Sequence, residues 1–332
     1  MDEVIGEYID RLCTVEMRPA RGNLPRGYVR SLHEAARADA GAPLAAGLAA
    51  ALAAAARDGG AVLLVTGAGG PPILPRAEVD GILGAAVLAR AAHWAWAAAP
   101  VILAEEHAGQ PIAAAVRALG LNTRRRSDAR QAHDVTLEAM PLDAEACARQ
   151  ADDLLDHYQP FAVVAIEKTS PNRQGVIVGS TGVPCHEIHG NPQFLFQAAA
   201  DRGILTAGIG DGGNEVGFGR IPEAVERIMP AGRKTAAVLA TNHLVVAAVS
   251  DWGAYGVAAS LAYQRGQLDL AVSADEVERA LRACVDAGAL DGVTARPTLS
   301  DDGIPLEAQR AFVTMLQAIV TIGLSNVESP GH

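Results

Sequence analysis

Cysteine is scarce, and the four present, Cys13, Cys147, Cys185 and Cys284, stand far apart with no C-x-x-C pair. That spacing excludes a dense disulfide framework and a cysteine zinc site, and it suits a reducing, cytoplasmic setting. Aromatic residues make up only 4% of the 332-residue chain, so a core has to be built from Ala, Val, Leu and Ile between closely spaced backbones. Helices laid on a sheet meet that demand. Positive charge is also short, with 27 Lys and Arg against 38 Asp and Glu and a formal net charge of −11. A surface of that sign disfavours phosphate backbones and anionic lipids, so neither nucleic acid nor a membrane is expected as a partner. The most basic stretch, Arg124-Arg125-Arg126 with Arg130, carries no aromatic and reads as a solvated loop or helix end. Long apolar runs are missing too. The most apolar tract, Pro43 to Ala56, owes its character to alanine and falls short of the ~20 residues that span a bilayer. The acidic opening MDEVIGEYID lacks the basic and apolar regions of a secretory leader.

What is present is a series of short apolar runs framed by turn residues: Ala61 to Thr66, Pro100 to Ala104, Phe161 to Ile166, Ile204 to Ile209 and Ala236 to Ala240. Such runs read as strands buried on both faces. With helical segments between most of them, they predict an α/β fold, a mainly parallel sheet with helices on both faces. Ahead of them, Val4 to Arg37 reads as helix, loop, helix, broken within MRPARGNLPRG, and Leu44 to Arg57 is a strong helix former stopped by Asp58-Gly59-Gly60. This predicts an N-terminal helical arm over residues 1–58, packed on a single compact α/β catalytic core over residues 59–332. Amphipathic helices are expected over Ser273 to Gly288 and Pro305 to Ile322.

In a parallel sheet the ligand crevice lies beyond the carboxyl ends of the strands. There the sequence is acidic. The first run is followed by Gly67, Gly69, Glu78 and Asp80, the second by Glu105-Glu106-His107, the third by Glu167-Lys168, and the fourth by Asp211-Gly212-Gly213-Asn214-Glu215. Carboxylates converging from several strand ends repel one another unless a divalent cation or a cationic substrate neutralises them. Mn²⁺ or Mg²⁺ fits carboxylate, amide and water ligands, with Asp211, Asn214 and Glu215 on one loop and Glu78 and Glu105 beside it. The alternative is that each acid separately caps a helix or a turn. Gly208 to Gly213 also satisfies G-x-G-x-x-G, but Asp211 would face a pyrophosphate, so a dinucleotide is not expected. Cys185-His186-Glu187-Ile188-His189 lacks the H-E-x-x-H spacing and reads as a turn with solvated imidazoles.

Several segments in order carry a family resemblance. They are Val65-Thr66-Gly67 with Glu78-Val79-Asp80-Gly81, Ala165-Ile166-Glu167-Lys168, the long GIGDGGNEVGFG run from Gly208 to Gly219, Val249-Ser250-Asp251-Trp252-Gly253-Ala254-Tyr255, and Leu290-Asp291-Gly292-Val293-Thr294. In these the chain resembles the D-glutamate cyclase C-terminal family, with Asp251 standing where the family pattern usually has Asn. The resemblance implies a lyase that closes D-glutamate to 5-oxo-D-proline with loss of water. Such closure needs an unprotonated amine, an electrophilic γ-carboxylate and a protonated leaving oxygen. Glu167 is the candidate base, Lys168 or an arginine pairs the substrate α-carboxylate, and a cation on Asp211 and Glu215 polarises the γ-carboxylate. Gly67, Gly69, Asp80, Gly212, Gly213, Asn214 and Asp251 complete the expected substrate-binding set. The expected partner is therefore a small acidic molecule, and a homo-oligomer is compatible with the sequence. The same acidic site would equally serve an Mn- or Mg-dependent phosphatase or another metal-dependent hydrolase. A catalytically inert ligand-binding module would keep the glycine loop and need no cation.

Overall fold

A computed structural model describes residues 3–19 and 24–325 of the chain. Seven strands form one sheet: β1 (Ala61–Val65), β2 (Ala99–Glu105), β3 (Asn122–Arg124), β4 (Asp134–Met140), β5 (Ala162–Ile166), β6 (Leu205–Gly210) and β7 (His243–Val246). Their order is β3-β4-β2-β1-β5-β6-β7, and every neighbouring pair is parallel. Successive side chains of a strand point to opposite faces, and the central strands follow that alternation. Val62, Leu64, Ile102, Val164 and Ile166 join the larger core cluster, which takes in Ala-rich helices Leu44–Ala55, Ile82–Trp96 and Ser250–Arg265. Leu63, Val65, Val101, Leu103 and Val163 face the other way, onto helices Ala144–Tyr158 and Gln193–Asp201.

Two departures from the sequence reading have physical causes. The run Ala236 to Ala240 is not a strand. Its backbone is drawn off by loops, with the Ala237 N–H donating to Gly213 O and Val238 N–H to Pro171 O, and only isolated bridges form there. The seventh strand begins at His243 instead, where Asn242 Oδ1 accepts from the Thr206 backbone at 2.8 Å. The second departure is that β3 and β4 lie at the far edge, where a polar alternation such as DVTLEAM is tolerated and no apolar run announces a strand.

Local chemistry accounts for several element ends. Ser273 and Glu276 form a reciprocal capping box on helix Ala274–Asp286, and Asp143 caps helix Ala144–Tyr158 through Ala146 N. Asp10, on helix Glu3–Cys13, accepts from Leu44 N at 2.6 Å and Ala45 N at 3.1 Å, so one N-terminal helix caps another. Helix Glu3–Cys13 lies so close to helix Ser250–Arg265 that a Cβ on Gly256 would sit 2.7 Å from Cys13 Sγ. Trp252 stacks on Phe312 with centroids 4.0 Å apart and donates to Gln309 Oε1 at 2.6 Å, fixing the start of helix Ser250–Arg265. Helix Ile82–Trp96 abuts that start at Gly84, where a Cβ would meet Ala254 Cβ and Asp251 Oδ1, each at 2.8 Å. Gly84→Ala is therefore expected to destabilise by about 1–3 kcal/mol, read from urea unfolding. A variant as stable as the parent would show that the two helices yield freely.

Candidate active site

The chain runs from β1 outward to β2 on one side, then returns from β4 to β5 on the other side of β1. The crevice at such a switch point is where ligands bind in open α/β sheets. Thr66 follows β1 and Glu167 follows β5 at that point. Glu167 is held at φ +47, a left-handed conformation that costs a side-chain-bearing residue about 1–3 kcal/mol and is characteristic of functional positions. Gly81, at φ +87, passes directly over it: a Cβ there would lie 2.6 Å from Thr66 Oγ1 and 2.7 Å from Glu167 Cβ. Glycine is required for that approach.

Two helix N-termini aim into the crevice and each is capped by an acid preceding or opening the other. Asp80 Oδ1 accepts from Asp251 N at 2.8 Å and its Oδ2 from Ser250 N at 3.1 Å, at the start of helix Ser250–Arg265. Asp251 Oδ1 accepts in return from Gly81 N at 2.9 Å and Gly84 N at 2.5 Å, at the start of helix Ile82–Trp96. Ser250 Oγ donates to Glu167 Oε2. Positive helix ends offset part of this buried negative charge.

The glycine-rich turn after β6 supplies Asp211. Glu215 accepts from Gly212 N at 2.9 Å and Gly213 N at 2.7 Å, and Asn214 Nδ2 donates to Val178 O at 3.1 Å. These two side chains, expected as cation ligands, brace the turn. One oxygen each from Asp80, Glu167 and Asp211 lies within 4.8 Å of the others, and Asp80, Asp251 and Asp301 form a second such group. Asp80 and Asp211 thus share the crevice. Glu78 sits at its rim, its Oε2 only 2.0 Å from where a Cβ on Gly292 would be.

Glu105 and Lys168 are placed elsewhere. Lys168 Nζ donates to Glu105 Oε1, which also accepts from Gly190 N at 2.8 Å, and both side chains are almost wholly buried. Gly67, at φ +110, makes room for Glu105 Oε2, and Gly69, at φ +68, for Leu74. Burial alone would raise the Glu105 carboxyl, but Lys168 and His189 hold it at about 2. His189, read from sequence as solvated, is buried 3.7 Å from Glu105, and burial lowers its pKa; His186 is exposed as expected.

Sequence reasoning missed Arg18 and the pair Asp301-Asp302. Arg18 Nη1 donates to Asp211 Oδ2 at 2.5 Å and to Asp302 Oδ2, carrying the arm into the crevice. A single arginine in a Pro/Gly-broken loop carries no positional signal. Asp301 and Asp302 read as turn residues, and nothing local reveals that Asp291, by accepting from Val293, Thr294, Ser300 and Gly303, folds their loop inward.

Burial raises the pKa values of Asp80, Glu167, Asp211 and Asp301, and neighbouring carboxylates raise them further, while Arg18 opposes this at Asp211. Burial also pushes Asp251 to about 7, against the backbone donors Gly84 and Gly81. An acid raised on folding contributes stability in full below its unfolded value near 4, and the contribution is lost as pH rises through the folded value. Cation-free protein should therefore lose several degrees of Tm between about pH 4 and the Asp251 value of about 7. Adding Mn²⁺ should restore them. A Tm that is flat over this range in chelator would contradict the clustering.

An open cleft of about 1040 Å³ over β2 and β4 is lined by Arg76, Arg117, Arg124 and Arg125 and holds none of the clustered acids. Among the described residues no single helix is long and apolar enough to cross a membrane. A family model described as D-glutamate cyclase-like, C-terminal, matches residues 27–317, leaving Arg18 outside the match. The human protein described as D-glutamate cyclase, mitochondrial, is 35% identical over 100 residues. That alignment spans 30% of this chain and 16% of the human protein.

Proposed function

We propose, because the chain belongs to the D-glutamate cyclase-like family, that the crevice closes D-glutamate to 5-oxo-D-proline and water. The observation that carries this reading is Glu167, strained at φ +47 at the switch point and grouped with Asp80 and Asp211 while Lys168 is committed to Glu105. An acidic crevice receives the substrate ammonium. Arg18 Nη2, buried and without a hydrogen-bond partner among the described residues, is a ready donor for the α-carboxylate. This gives an arginine the anchoring role for which Lys168 is not free.

Asp80, Glu167 and Asp211 present hard oxygen donors close enough for one Mn²⁺ or Mg²⁺, and Thr66 Oγ1 is buried nearby without a partner. When bound, such an ion would polarise the γ-carboxylate as a Lewis acid. The remaining work falls to the chain. Glu167 takes the ammonium proton, the freed amine nitrogen forms a bond to the γ-carbon, and that carbon's bond to one oxygen breaks. Protons from the nitrogen leave with this oxygen as water. Glu167, at the switch point between β1 and β5, is placed to carry them. Ser250 Oγ orients its carboxylate.

Incubation with D-glutamate and Mn²⁺, with 5-oxoproline measured by chromatography, tests the reading. L-glutamate and a phosphate ester are assayed beside it. Lactam from D-glutamate is expected; ester hydrolysis without lactam would overturn the reading in favour of a metal-dependent hydrolase.

A further inference from the structure

Asp301 is 1% exposed, yet neither of its carboxylate oxygens has a hydrogen-bond partner among the described residues. Asp251 Oδ2 likewise receives no donor and faces the Asp301 carboxylate, although Asp251 Oδ1 is satisfied by two backbone donors. Buried ionised oxygens are normally paired, hydrogen-bonded or bound to a metal. The Tyr255 hydroxyl, buried beside Asp251 and Asp301, also lacks a partner. Asp80, Asp251 and Asp301 each aim one oxygen into a space where the three lie within 4.8 Å of one another. Oxygens bound to a single hard cation at ~2.1–2.4 Å lie at most ~4.2–4.8 Å apart, so these three are close enough to share one ion.

Charge points the same way. Asp80, Glu167, Asp211, Asp251, Asp301 and Asp302 cluster in the crevice, where Arg18 pairs with Asp211 and Asp302. With Glu78 and Glu215 also close by, the acids far outnumber Arg18, an excess that bound divalent ions would offset.

We propose that Asp80, Asp251 and Asp301 hold a second divalent cation, with Asp80 shared between the two positions. The proposal deepens the functional reading and rests on its first position only through Asp80. It makes the crevice a two-cation site for a small carboxylate-bearing molecule, a shared acid being a natural bridge between neighbouring ions.

The test is calorimetric titration of metal-stripped protein with Mn²⁺, cross-checked by native mass spectrometry. Two ions per chain are expected in the parent. Asp301→Asn should bind one, and Asp211→Asn should bind one by losing the other position. One ion in the parent, unchanged by Asp301→Asn but lost in Asp211→Asn, would overturn the second position and leave the first standing. An ion lost in Asp301→Asn with Asp211→Asn unaffected would leave the second standing and remove the first. Infrared spectra guard against a shared proton. A protonated-carboxyl band that persists in Mn²⁺-saturated parent and vanishes in Asp301→Asn would show a proton between Asp251 and Asp301, and would overturn the proposal.

Discussion

Glu167→Gln is expected to lower turnover of D-glutamate by about 10²-fold or more, measured at saturating Mn²⁺ so that weakened cation binding does not enter. The amide keeps the shape and the hydrogen bond from Ser250 Oγ but cannot accept a proton. Backbone geometry supplies an independent check. Since residue 167 sits at φ +47, Glu167→Gly relieves the left-handed strain and should unfold no more easily than the parent while being as inactive as the Gln variant. Stability is thereby separated from chemistry at one position. A Gln variant of normal turnover would reduce Glu167 to a strand-end acid and move proton transfer to another group.

Lys168→Met should cost about 3–5 kcal/mol of unfolding free energy, because it strands the Glu105 carboxylate among buried groups. The pair is 0% and 1% exposed, and Gly190 N and His189 are the remaining polar neighbours of Glu105 Oε1. The loss reports an unpaired charge more than the worth of the pair, so the double variant Lys168→Met with Glu105→Gln should recover much of it. The pH profile gives the sign. Glu105 is depressed to about 2, so its stabilising contribution is present above its unfolded value near 4.3 and is lost as pH falls toward the folded one. Acid sensitivity from this source should vanish in the double variant. Urea unfolding of Lys168→Met within about 1 kcal/mol of the parent would mean that water reaches the pair.

The central strands were legible because both faces of β1, β2 and β5 are covered, which demands unbroken apolar residues such as Ala61 to Val65. Strand β4, next to the edge strand β3, was not, since its partial burial permits charged residues within it. Ala236 to Ala240 misled for the converse reason: an apolar run satisfied by packing against loops looks the same in sequence as one in a ladder. Within the site, acids at strand ends could be placed from position alone, and Asp80, Glu167 and Asp211 do converge. Which acids stay free could not be read. Glu215 is held by the backbone of its own turn, Asn214 ties that turn to Val178 O, and Glu105 is taken by a lysine next in sequence to Glu167 but turned away from it. Arg18 and Asp301 reach the crevice through long-range packing, some 193 positions separating Arg18 from Asp211. Local pattern holds no record of that.

The most direct test of the account is an anomalous-difference map from crystals of the protein soaked in Mn²⁺. A peak is expected among the carboxylates of Asp80, Glu167 and Asp211. Strong Mn²⁺ peaks confined to other parts of the surface, with that crevice empty at saturating Mn²⁺, would contradict it.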